Sequence, residues 1–123
     1  MTRIVIPVAD DRGVESQLSD HFGRAPFFAV FDLDEDGQIK SCRSVPNESE
    51  HFGGVGLPPD RILQLNPDVV ITFGMGPRAL GRFQDARVAV VKANSNIVKD
   101  VISAYLKNQL QELTEGCHHA LHR

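Results

Sequence analysis

An α/β fold built on a mixed, five-stranded sheet is predicted by three observations. Segments rich in β-branched residues alternate with helix punctuation in the order β-β-β-α-β-α-β-α, an Asp36-Gly37 pair joins two of the strands, and residues 68–73 are apolar almost throughout. The chain of 123 residues suits one hydrophobic core, which typically serves about 100 to 150 residues. Residues 1–116 are expected to form that single domain and residues 117–123 a tail.

Residues 3–9 hold Ile4, Val5, Ile6 and Val8 and run into Asp10-Asp11-Arg12-Gly13, which reads as a strand leading into a loop. Residues 26–33 and 38–45 are two further strands. Between them, Asp36-Gly37 supplies the positive φ that a tight hairpin demands, so these strands should be antiparallel neighbours. Asp32-Leu33-Asp34-Glu35-Asp36-Gly37 begins like a calcium loop, but Arg43 stands where a bidentate glutamate is required, and the reading is a solvated hairpin turn.

Residues 46–56 are polar and glycine-rich, a loop of a length that is more often functional than idle. Pro58-Pro59 at the start and Asn66-Pro67 at the end frame a short helix over 57–65. The run 68–73, Asp-Val-Val-Ile-Thr-Phe, should be a strand buried on both faces. Gly74-Met75-Gly76 then turns into a helix over 77–84, and residues 87–92 form a fifth strand. Ser95 or Asn96 is placed to cap a last helix whose apolar face includes Val98, Val101, Ile102, Tyr105, Leu110 and Leu113, with Gly116 as its stop. Strands one, four and five can be parallel because helices intervene, and right-handed crossovers place helices on both faces, giving a three-layer α/β/α sandwich.

Composition excludes several function classes. Thirteen basic against 16 acidic residues leave a net charge of −3, with no basic run to neutralise a phosphate backbone, so nucleic acid is not an expected partner. No stretch approaches the roughly 20 apolar residues of a membrane helix, nor does the N-terminus resemble a signal peptide. The expected location is the cytoplasm. There Cys42 and Cys117 would stay thiols, and Cys42 reads as a packing residue of strand three.

Three constellations could carry chemistry. His21-Phe22-Gly23-Arg24 leaves the carboxyl end of the first strand, where open α/β sheets bind ligands; imidazole could ligate iron and Arg24 could meet an anion. The bland alternative is a turn capped by His21, with Arg24 paired to a surface carboxylate. Gly74-Met75-Gly76-Pro77-Arg78-Ala79 matches a dinucleotide fingerprint, but no acidic residue ends the next strand and no second nucleotide-binding half exists. What remains is either an anion-receiving helix start or a tight turn. Cys117, His118, His119 and His122 offer a thiolate and three imidazoles, as metal ligands or as a solvated terminus.

The segment His21-Phe22-Gly23-Arg24-Ala25-Pro26-Phe27-Phe28 resembles the dinitrogenase iron-molybdenum cofactor biosynthesis family, as do Ile4-Val5-Ile6-Pro7-Val8 and the block from Asp68 to Leu80. The resemblance spans residues 3–113 and implies a ribonuclease H-like sheet of order 3-2-1-4-5 with strand 2 antiparallel. It also implies carriage of an iron-sulfur or iron-molybdenum cluster during metallocluster biosynthesis such as nitrogenase maturation. Where many relatives have a histidine in the glycine-rich segment, this chain has Gly53-Gly54-Val55-Gly56, with His51 nearest.

The expected cofactor-binding residues are thus His21, Phe22, Gly23, Arg24, His51, Gly53, Gly54, Gly74, Met75 and Gly76, with Cys117, His118, His119 and His122 as metal ligands in the tail. The expected role is binding or carriage without turnover, with cluster-assembly or acceptor proteins as partners. A regulatory or protein-interaction domain without metal is the alternative. Ribonuclease H-like enzymes hold two metal ions on grouped carboxylates, but Asp10 and Asp11 lie beyond the first strand and Asp68 lies at the wrong end of the fourth.

Overall fold

The computed structural model describes residues 1–47 and 58–114. Five strands, β1 (Thr2–Val8), β2 (Phe27–Leu33), β3 (Ile39–Pro46), β4 (Val69–Thr72) and β5 (Ala89–Lys92), form one sheet in the order β3-β2-β1-β4-β5. β2 is antiparallel to both β1 and β3, whereas β4 is parallel to β1 and β5. This is the sheet and order that the sequence resemblance implies. The hairpin closes as the Asp-Gly pair requires: Gly37 takes φ +83°, and Asp34 Oδ1 accepts the N–H groups of Asp36 and Gln38.

Three helices cover the sheet, α1 (Pro58–Leu63) and α2 (Pro77–Asp85) on one face and α3 (Val98–Leu106) on the other. The strand period of two sorts the core into two layers. Ile4, Ile6, Phe31, Val69 and Ile71 pack towards Val98, Val101 and Ile102 of α3. Val5, Phe28, Val30, Val70 and Val90 pack towards Ile62 of α1 and Leu80 and Phe83 of α2.

Three details differ from expectation. α3 ends at Leu106, well short of Leu113, because Asn108 adopts the left-handed conformation (φ +57°). The N–H of Gln109 then reaches the carbonyl of Ala104 and that of Asn108 the carbonyl of Tyr105, a Schellman stop that fills the role expected of Gly116. The chain turns back, and Leu113 N–H bonds Val90 O while Lys92 N–H bonds Gln111 O, sealing the outer edge of β5. Secondly, neither Ser95 nor Asn96 caps α3. The N-cap is Ile97, and the first helical amide, of Val98, donates to Ser16 O across the fold. Thirdly, Cys42 is exposed rather than packed, because β3 is the uncovered edge strand.

Pro7 sits within β1, and its place explains itself. The register with β4 runs only through Ile4↔Val69 and Val5↔Val70; beyond it Pro7 has no N–H to extend the ladder, and its carbonyl accepts from Ser19 N–H at 3.0 Å.

At the opposite end of the sheet, Arg3 ties three elements together. Its guanidinium donates to both carboxylate oxygens of Asp32, at 2.8 and 3.2 Å, and to Leu65 O, while Ser41 Oγ also donates to Asp32. The Arg3 hydrogen bond, helped by Ser41 and opposed by desolvation, holds the Asp32 carboxyl below its ordinary value. A depressed folded-state value contributes stability that is complete above about pH 4, the unfolded-chain value, and lost as pH falls through the folded one. Asp32→Asn is expected to cost about 1 to 2 kcal/mol at neutral pH. Urea titrations of both proteins at pH 7 and pH 3 should show the gap closing in acid; a gap independent of pH would contradict this account.

Candidate functional site

At the carboxyl ends of β1 and β4, on either side of the point where the sheet's strand order reverses, lies an open cavity of about 830 Å³. Such crevices are where open α/β sheets take ligands. One wall is the segment Asp20–Arg24, whose residues Phe22–Arg24 form a 3₁₀ turn. The opposite wall is the Gly74-Met75-Gly76 turn with Arg78, Ala79 and Arg82 of α2, and Pro58 and Pro59 of α1 close the side. Seven of the expected residues, His21, Phe22, Gly23, Arg24, Gly74, Met75 and Gly76, therefore meet in one place.

Their parts in it differ. The imidazole of His21 is exposed and makes no capping hydrogen bond; the turn is capped by backbone, Arg24 N–H to His21 O, and by Ser19 Oγ, which accepts from His21 N–H. Phe22 is buried, its ring set edge-on to Phe83 with centroids 5.9 Å apart, and so anchors the wall to α2. Arg24 and Arg78 are exposed, and among the described residues no carboxylate lies within ion-pairing distance of either. Met75 is buried at the cavity floor beside half-buried Phe73. Gly74 faces open space: a Cβ built on it meets nothing within 4 Å.

α2 begins under this wall with Gly76 as N-cap, no side-chain cap, and Pro77 at its first turn. The amides of a helix's first turn have no partner within the helix, so this end carries positive potential towards the cavity.

Sequence reasoning missed three contributors. Asn47 is buried, and its amide donates to Ala25 O at 2.8 Å and Gly23 O at 3.5 Å, fastening the His21 wall from behind. Arg82 lines the cavity while bonded to Asp60 of α1. Arg78 stands one turn before Arg82 on the same helix face, a spacing of four that was available as a signal. His51, Gly53, Gly54, Cys117, His118, His119 and His122 lie outside the described residues. Among the described residues no three His, Cys, Asp or Glu side chains group as a metal-ion site, and no helix is long and apolar enough to cross a membrane.

Residues 2–108 match the family model described as dinitrogenase iron-molybdenum cofactor. An uncharacterised protein of Methanocaldococcus jannaschii, MJ0580, is 26% identical over 114 residues, covering 91% of this chain and 92% of its own. Among solved structures, PH0822 is similar with a TM-score of 0.76 at 30% identity, over 92% of this chain and 97% of its own. The apo form of the orange protein from Desulfovibrio gigas shares the fold with a TM-score of 0.75 at 20% identity, over 94% and 95% of the two chains.

Proposed function

Because this chain belongs to the dinitrogenase iron-molybdenum cofactor family, we propose that its cavity binds and carries a preassembled, anionic iron-sulfur or iron-molybdenum cluster without turning it over. The observation that carries this reading is the convergence of His21, Arg24, Arg78 and the glycine turn on one open cavity over an apolar floor.

The donor set favours a cluster over a bare ion. A structural site for a single ion needs about four protein donors. The described cavity offers one imidazole, the carboxylate of Asp20, the thioether of Met75 and cationic groups, fewer neutral or anionic donors than such a site needs. A preassembled cluster brings its own bridging sulfides, so the site is asked for fewer protein donors, and the arginines can supply counter-charge. His21 would be the ligand, Arg24 and Arg78 would balance charge, and Gly74 would leave room for the guest. His51, Gly53 and Gly54, outside the described residues, are proposed as further cofactor-binding residues, and the cysteine and histidines of residues 117–123 as additional ligands. Cluster-assembly and acceptor proteins are the corresponding partners. The reducing cytoplasm is the compartment that keeps such a guest, and the Cys42 thiol, intact.

The test is anaerobic incubation with isolated cluster, followed by gel filtration and metal analysis. The wild type should elute with metal, and His21→Ala should retain it roughly tenfold or more less well, since even groups that merely support a metal ligand are worth that much. Metal-free elution of the wild type, or equal retention by the variant, would sink the reading.

A further inference from the structure

The cavity contains three arginines in two different states, and the difference suggests how the guest is selected. Arg24 and Arg78 have no ion-pair partner among the described residues, whereas Arg82 is bonded to Asp60 of the neighbouring helix. Arg78 and Arg82 are four residues apart on α2, so their side chains leave the same face and both line the cavity. Asp60 and Arg82 are both partly exposed, with 36% and 45% of their side-chain surface accessible. Their pairing is therefore weak enough for a ligand to contest.

Resting on the reading that the cavity takes an anionic guest, we propose that Asp60 sets a charge threshold: it withholds Arg82 from weakly charged anions and yields it only to a polyanion. A small anion is met by Arg24 and Arg78 and leaves the Asp60–Arg82 pair intact. A guest carrying several negative charges over a wider span reaches Arg82 as well, and gains more from it than Asp60 does, because its charge is delivered with that of two neighbouring arginines already engaged. Asp60 is a specificity-determining residue in this scheme. It does not touch the guest; it sets the cost of the third contact. The same pair links α1 to α2, so a polyanion also dissolves one of the ties between these helices.

The chemical class selected is a compact polyanion, and a series of inorganic anions of rising charge tests it in the full-length protein. Phosphate, pyrophosphate and tripolyphosphate should bind progressively more tightly by calorimetry. Asp60→Asn should tighten tripolyphosphate by up to about fivefold and phosphate by much less, the limit being what a partly exposed ion pair is worth. Asp85→Asn removes the same charge at the far end of α2, away from the cavity lining, and should change neither. In an Arg82→Gln background Asp60→Asn should have no further effect, and Asp60→Glu should restore the original discrimination.

Equal tightening of all three anions, an Asp85→Asn effect of the same size, persistence of the Asp60→Asn effect without Arg82, or no polyphosphate binding by the wild type would each overturn the threshold. Retention of cluster by the wild type alongside any of these leaves the carrier reading standing. A wild type that retains no cluster but shows the polyphosphate pattern removes the carrier reading and keeps the charge gate.

Discussion

Phe83→Ala is expected to lower the stability of this domain by about 3 to 5 kcal/mol. The Phe83 ring is fully buried on the α2 side of the sheet, among Val70, Val90, Ile62 and Leu80, and the small helix cannot collapse into the space it would leave. The loss extends to the cavity. Phe22 rests edge-on against Phe83, and that contact is what holds the His21–Arg24 wall against α2. An aromatic pair of this geometry adds about 0.5 to 1.5 kcal/mol beyond the area buried. Phe83→Leu, which fills most of the volume without the ring, should recover much of the stability and still loosen the wall. Chemical denaturation gives the first quantity, and protection of the Phe22–Arg24 amides from hydrogen exchange gives the second. A Phe83→Ala protein within about 1 kcal/mol of wild type would show that the core closes over the gap and that this packing account is wrong.

Reversing charge at the rim should have the largest effect on binding. The double variant Arg24→Glu, Arg78→Glu is expected to weaken retention of an anionic cluster by at least about 100-fold. Each lost charge-assisted contact is worth about 1.5 to 3 kcal/mol, and each new carboxylate repels the guest. Its thermal stability should stay close to that of the wild type, because both side chains are exposed and pair with no carboxylate among the described residues. Anaerobic binding measured at two salt concentrations separates the contributions: the wild type should weaken with salt and the variant much less. If the variant binds within about twofold of wild type, charge does not hold the guest, and His21 alone must be asked to do so.

Legibility in the sequence followed the range of the interaction involved. The strands were readable because β-branched runs reflect a local preference, and the hairpin because Asp36-Gly37 encodes its own backbone geometry. The end of α3 was misread because apolar spacing continued past it to Leu110 and Leu113. Those residues do pack against the core, but from a returning segment. The decisive residue, Asn108, is a left-handed stop that looks like any polar surface position when read in one dimension. Cys42 was misplaced for a different reason: whether a strand lies at an edge is decided by the whole sheet. In the cavity, the His21 segment and the glycine turn stood out as motifs. Asp60, Arg82 and Asn47 did not, since each acts on a partner at least 20 residues away, a distance that no local pattern reports.

Pro7 has a last consequence. An imino acid in the middle strand withholds one rung where β1 and β4 would otherwise keep zipping towards their carboxyl ends. The early end of the β1–β4 ladder is thus a property of the backbone ring itself, which neither acidity nor salt can alter.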